Sequence, residues 1–204
     1  MILVVTRRYH SPRRAAAAEQ TRRDIVEAAM RLHGQGITEL ADVAREAGVA
    51  LPTVRKHFST REGVFKACIA HAVRSAEPFS VADLSGIADP AARISATVRR
   101  LYGLFEPRLG NTWTAYRLAG ESAALAGVLE RYWGLVRTIA EMLVSGSAVA
   151  VPEDRRAAVL GFIHGLLSPL TYRALRLEGA LDLDSAVDQT AVAIGRALGV
   201  RAST

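Results

Sequence analysis

LADVAREAGVALPTVRKHFSTR, residues Leu40 to Arg61, decides how this chain folds. Leu40, Val43, Ala44 and Ala47 recur at the i, i+3, i+4, i+7 spacing of one buried helical face, and Asp42, Arg45 and Glu46 point away from it. Gly48 supplies the left-handed backbone that stops this helix. Pro52 suits the first turn of the next, where its missing N–H leaves no internal bond unmade. Val54 and Phe58 turn inward, so Thr53, Arg55, Lys56 and His57 face out. Two short helices around a glycine turn, the second with a basic outer face, describe a helix-turn-helix whose second helix enters the DNA major groove. Leu51, Pro52 and Thr53 suit thymine methyls there, and Arg55 or Lys56 suits guanine.

Upstream, Ile25, Ala28, Ala29 and Leu32 form the inner stripe of a helix that ends by Gly34 or Gly36, with Arg22 and Arg23 in its first turn near a passing phosphate. Residues 1–19 contain RRYHSPRRAAAA without apolar periodicity, and are expected to form a mobile arm, ordered structure beginning near Gln20 or Thr21. Arg7, Arg8, Arg13 and Arg14 in it would otherwise track the DNA backbone or enter a minor groove. Thr38 is placed to cap the helix that follows, with Glu39 at the positive end of its dipole.

The charge is placed to match. Residues 1–61 hold 11 Lys/Arg against 6 Asp/Glu, a net +5, whereas residues 62–204 hold 15 against 14, a net +1, within a total of +6. A surface that binds phosphates needs this asymmetry, although a merely solubilising basic N-terminus would show it too. Half of the residues are hydrophobic but aromatics are few, which favours helices over sheet. Cys68 is the only cysteine, so no intrachain disulfide forms; beside Phe65 and Ile69 it is expected to be an inert core thiol in a reducing cytosol. The opening MILVV is too short for a signal sequence or membrane span, and no segment reaches about 18 uninterrupted apolar residues, so a cytoplasmic protein is expected.

On the motifs AA--L at Ala28, Ala29 and Leu32, DVA--AGV from Asp42 to Val49, and PTV--HFSTRE--F from Pro52 to Phe65, the chain resembles the TetR-type transcriptional regulators. The resemblance covers about the first third of the chain. It implies a phosphate-contacting Thr or Ser at Thr38 or, depending on where the gap falls, at Glu39, whose carboxylate repels phosphate. Ala50 stands where the family has a capping Ser, and Arg55 where most members have a phosphate-bonding tyrosine. Arg61 replaces the family's lysine at the start of a fourth helix. That helix links two domains, and its tilt sets the separation of the two recognition helices in a dimer.

Beyond it the chain continues as helices. Val64, Phe65, Cys68, Ile69, Ala72 and Val73 form a stripe that Pro78 ends, and residues 80–89 are expected to be a loop. Asp89 and Pro90 open a helix with Ile94, Val98, Leu101, Tyr102 and Phe105 inward. Pro107 and Gly110 break it, and Asn111 or Thr112 caps the next, which carries Trp113, Tyr116 and Arg117. A long run from Leu125 to Leu143 follows. The last two helices are one opened by Pro152 and Glu153, kinked at Pro169 and burying Leu170, and one capped by Asp182 or Asp184.

The expected fold is therefore all-α with about nine helices: an arm over 1–19, a helix-turn-helix domain over 20–65 and a larger helical domain over 66–204. The last two helices carry apolar residues on more than one face, and Ala186, Ala193, Gly195 and Ala197 permit close approach. A homodimer through a four-helix bundle of these helices accounts for both features, as does a buried hairpin within one subunit.

Tyr102, Phe105, Trp113, Tyr116 and Trp133 fall on consecutive helices and together suit an apolar ligand pocket, to which Arg117 and His164 are candidate polar additions. Taken singly, the aromatics and His164 read as packing, and Arg117 with Glu121 reads as a surface salt bridge along one helix. No Gly-rich phosphate loop, HExxH, CxxC or GxSxG is present, and the five histidines are scattered, so neither catalysis nor a cofactor or metal site is expected. The expected function is a DNA-binding regulator of double-stranded DNA, most often a repressor, released by a small-molecule effector as the resemblance implies. The alternative is a helical protein- or ligand-binding module that has lost specific DNA recognition.

Overall fold

The computed structural model describes residues 12–77, 80–147 and 149–200, and among them are eleven α-helices, one short 3-10 turn and no strand. The first helix, α1 (Pro12–Gly34), starts well upstream of Gln20. Residues 12–19, expected in a mobile arm, are its opening turns. They are exposed, which explains the missing apolar period, and Ala15 to Ala18 are the strongest helix formers available. Arg7 and Arg8 lie outside the described residues.

Three more helices complete the first unit: α2 (Leu40–Glu46), α3 (Leu51–His57) and α4 (Arg61–Ser75). Ile25, Ala29 and Leu32 of α1 meet Val43 and Ala44 of α2, Val54 of α3 and Phe58 in one core, to which α4 adds Val64, Ala67 and Cys68. That core runs past residue 65, so α4 is shared. Its Phe65 turns instead to Leu118 and Leu125 of the second unit.

The second unit comprises α5 (Val81–Ser85), α6 (Pro90–Phe105), the 3-10 turn Glu106–Arg108, α7 (Leu109–Leu118), α8 (Ala123–Ser145), α9 (Glu153–Leu166), α10 (Pro169–Leu177) and α11 (Leu183–Ala197). Its core joins Val98, Leu101 and Tyr102 of α6 to Ile139 and Leu143 of α8, Ile163 of α9 and Ile194 of α11. Asp89 caps α6 by accepting the Ala92 amide at 2.8 Å, and Asp182 caps α11 by accepting that of Ser185 at 2.7 Å.

Two helices exceed the nine expected. The five-residue α5 occupies part of the expected loop, with Ser80 as its cap. Pro169 does not kink a continuous helix. The chain leaves α9 after Leu166, Ser168 Oγ accepts the Leu170 amide at 3.1 Å, and Pro169 becomes the first residue of α10, where a missing N–H is harmless. Leu170 is consequently exposed rather than inward. Ala186 and Gly195 are buried inside the single subunit. The α9 face left to solvent carries Ala157, Ala158, Gly161, Phe162 and Gly165.

Candidate DNA-binding surface and its junction with the helical body

Gly48, with φ at +66°, turns the chain between α2 and α3, and the Val49 amide closes the turn on Ala44 O at 3.0 Å. Ala50 occupies the N-cap of α3 without a side-chain cap bond, and Pro52 fills the first turn. Val54 and Phe58 anchor α3 from below, at 0% and 4% exposure. Pro52, Thr53, Arg55 and Lys56 are therefore exposed, with Leu51 and His57 half-buried at their flank. Arg55 and Lys56 have no acidic partner among the described residues, whereas Arg31 and Arg45 are paired with Glu46 and Asp42. Arg22 stacks over Phe58 at 4.9 Å, and exposed Arg23 donates to Gln20 Oε1 at 2.5 Å.

Thr38 and Arg61 sit differently from expectation. The N-cap of α2 is Glu39, without a side-chain cap bond, and Thr38 is only 7% exposed. Its hydroxyl accepts from Arg61 Nη1 at 3.4 Å, which ties it to the start of α4. Arg61 in turn has carboxylates on both sides, Glu39 at 3.7 Å and Glu121 at 3.2 Å. The expected Arg117–Glu121 pair does not form, because α7 ends at Leu118 and separates them. Arg117 Nη2 donates instead to Gly36 O at 2.9 Å.

Residues 25–68 match the family model described as bacterial regulatory proteins, tetR family. This segment is a TetR-family DNA-binding domain. No curated protein matches the chain. Among solved structures, a transcriptional regulator from Rhodococcus sp. RHA1 is 23% identical, with a TM-score of 0.59 over 86% of this chain and 96% of its own. A second, TetR-like regulator from Rhodococcus sp. RHA1 is 18% identical, with a TM-score of 0.66 over 94% and 100%. NalD, the secondary repressor of the MexAB-OprM multidrug efflux pump in Pseudomonas aeruginosa, is 19% identical, with a TM-score of 0.58 over 89% and 97%. At these identities the structures share the fold.

The TetR-family domain is bolted to the helical body along one seam. Asn111 Nδ2 donates to Met30 O at 2.7 Å and Thr114 Oγ1 to His33 O at 2.7 Å, so α7 is fixed to the last turn of α1. Asn111, expected as a cap, serves this contact, and α7 starts two residues earlier through the 3-10 turn. Gly110, expected as a breaker, lies inside α7 where a Cβ would collide with the Gly34 carbonyl. Across the seam Glu62 of α4 accepts from Ser122 and from the Ala124 amide at the start of α8. His33 is buried here, 5.0 Å from the Phe65 ring; burial, then the charge of Arg61, lowers its pKa to about 4.

The aromatic candidates do not form one pocket. Tyr102 and Phe105 are buried core, with Phe105 5.4 Å from Tyr132 and Tyr102 4.3 Å from Tyr172, a ring that helical spacing did not single out. Tyr116, Trp133 and His164 make a second group, Trp133 lying 6.4 Å from Tyr116 and 4.4 Å from His164. Trp113 is 44% exposed and stacks under Arg173 at 4.8 Å. With Arg117 it lines an outer groove beside Gly34, Gly36 and Leu177. Sequence reasoning also passed over Glu106, held by Tyr172 and by Arg176 Nη2 at 2.6 Å; long-range ion pairs leave no local spacing to find.

Proposed function

We propose that this regulator is a cytoplasmic, non-enzymatic homodimeric repressor that grips a palindromic operator through two copies of α3 and leaves it when a small molecule binds. The observation that carries the DNA reading is the pair Arg55 and Lys56, exposed and without acidic partners among the described residues on a helix whose other side is anchored in the core. Unneutralised cations on a rigid helix of groove width give counterion-release binding, and an arginine fork adds guanine readout. Leu51, Pro52, Thr53 and His57 border them, and Arg22, Arg23 and Arg61 flank them as phosphate contacts.

A second copy is supported by α9, whose solvent face of small residues around Phe162, 48% exposed, would pair with α11 and its exposed Val192 in a four-helix bundle. The bundle would hold the two α3 helices about 34 Å apart, one turn of DNA. The repressor sign follows NalD, described as a repressor. No helix among the described residues is long and apolar enough to cross a membrane.

The test is titration of labelled duplexes, selected from a random pool, at two salt concentrations. A steep salt slope and a preferred palindrome support the reading. A flat slope at all sequences would leave a helical binding module without DNA recognition.

A further inference from the structure

An open groove of about 580 Å³ runs along the outer side of the seam, between the turn after α1 and the helices α7 and α10. Its walls are two pairs of residues four apart in sequence. Trp113 and Arg117 lie one turn apart on α7, and Arg173 and Leu177 one turn apart on α10, so each helix brings one large apolar side chain and one cation to the groove. Gly34 and Gly36 add only backbone to it. Trp113 is 44% and Leu177 57% exposed, and large apolar side chains left to solvent in a concave place mark a surface for a ligand's apolar body.

The charges of the groove are unbalanced. Among the described residues that line it none is acidic. Arg117 is exposed and has no carboxylate partner among the described residues; its Nη2 donates to Gly36 O at 2.9 Å. Arg173 lies over the Trp113 ring at 4.8 Å. Its pair with Glu178, at 3.8 Å and with that carboxylate side chain 74% exposed, is of the weak surface kind.

We propose that this groove binds an amphiphilic monocarboxylate, its carboxylate drawn by Arg117 and Arg173 and its flat apolar body covering Trp113 and Leu177, and that the bound acid acts as an effector; the effector part rests on the regulatory reading above. The charge class follows from the residues. Two arginines against Glu178 leave one net positive charge, which a monocarboxylate neutralises and a phosphate dianion exceeds. A neutral ligand would leave the guanidinium forks without the anionic acceptor whose geometry they match. A flat body follows from the planar indole and guanidinium that it meets.

The groove is separate from the aromatic groups around Tyr102 and Trp133, and it lies where the two units meet. An occupant touches the turn after α1 on one side and α7 and α10 on the other. A carboxylate that engages Arg117 also competes with the Gly36 carbonyl for the same guanidinium. Occupancy is thereby coupled to one tie between the DNA-binding unit and the body, which gives the differential affinity an effector requires.

Naphthoate is the probe, with naphthamide as its neutral and naphthyl phosphate as its dianionic contrast, each titrated into the full chain without DNA and followed by calorimetry and ligand-observed NMR. Saturable naphthoate binding is expected, about tenfold tighter than that of the amide, the scale of one charge-assisted hydrogen bond. Arg117→Gln and Arg173→Gln should each weaken naphthoate by about tenfold and leave the amide nearly unchanged, a change of selectivity that a merely structural role would not produce. Leu177→Glu, which sets a carboxylate in the groove, should abolish naphthoate binding. Melting curves establish that each variant folds, and any folded variant suffices. Absence of saturable naphthoate binding, equal or tighter binding of the amide or the phosphate, or naphthoate affinity unchanged in the folded variants overturns the site. Naphthoate that binds but leaves the affinity for a selected duplex unchanged overturns the effector role. A chain that binds naphthoate but no duplex keeps the site and sinks the operator reading instead, so the two failures are told apart.

Discussion

Ser122 Oγ donates to Glu62 Oε2 at 2.5 Å, and the same hydroxyl accepts the Leu125 amide at 3.2 Å. The second Glu62 oxygen accepts the Ala124 amide at 2.7 Å. One carboxylate of the DNA-binding unit thus completes the N-terminal cap of α8, and these bonds, led by that from Ser122, hold its pKa below the usual carboxylate range. Glu62→Ala removes both acceptors. It is expected to lower stability by about 1 to 2 kcal/mol, the scale of a lost cap, with Glu62→Gln intermediate. Urea unfolding of the three proteins measures it, and equal midpoints would show that the seam holds without this contact.

Arg61 is the cation whose use is contested. It stands at the start of α4, where a phosphate contact is proposed, and is flanked by Glu39 and Glu121. Replacing Glu39, which is 3.7 Å away and largely exposed, by glutamine removes a charge that both occupies Arg61 and repels phosphate. Glu39→Gln is expected to tighten DNA binding by about two- to fivefold at low salt, in keeping with exposed pairs worth below about 1 kcal/mol. Arg61→Ala should weaken binding and make the salt slope shallower by about one phosphate. Anisotropy titrations across a salt series check both.

On α3 the direct test is Arg55. Arg55→Ala is expected to cost about 1 to 3 kcal/mol of operator binding and to relax preference at one base position. Lys56→Ala should weaken all duplexes more evenly if Lys56 meets phosphate. Reselection from a random pool with each variant separates the two, and an unchanged consensus with unchanged affinity for Arg55→Ala would remove it from the interface.

The contrast between what sequence showed and what it hid follows from range. Val43, Val54 and Phe58 were legible as inward residues because helical period and burial are local properties, and the buried stripe from Ile94 to Phe105 was legible for the same reason. The opening turns of α1 were not, since a helix surrounded by solvent needs no apolar stripe. Arg117 and Glu121 looked like partners at helical spacing, but the chain leaves its helix at Leu118 and each finds a residue of the first unit. The aromatic set dispersed for a related reason: spacing along one helix says which side a ring occupies, not which ring of another helix it meets.

Gly110 and Gly134 give a matched test of the seam. A Cβ at Gly110 would run into the Gly34 backbone, whereas one at Gly134, inside α8, meets nothing within 4 Å. Gly134→Ala should therefore stabilise by up to about 1 kcal/mol through helix propensity alone. Gly110→Ala must separate α1 from α7, and a loss of about 2 kcal/mol or more is expected, as for other overpacked sites. It should also disturb the Asn111–Met30 bond next to it. Thermal melts read the opposite signs, and a stabilising Gly110→Ala would mean that the two helices are free to part.

His33 makes the seam sensitive to acid. Its pKa is about 4 in the folded chain and about 6.5 when unfolded, so between those values the unfolded state carries a proton the folded state refuses. Stability from this group is complete above about pH 6.5 and falls as the pH drops toward 4, each separated unit being worth up to about 1.4 kcal/mol. The charged form would stand beside Phe65 and under the field of Arg61, with Nε2 unpartnered, and so has nothing to stabilise it. In His33→Phe the decline between pH 6.5 and 4 should flatten, while the carboxylate-driven loss at lower pH, to which Glu62 belongs, persists. Unfolding free energies at half-unit steps of pH test this, and parallel curves for the two proteins would place the titrating group elsewhere.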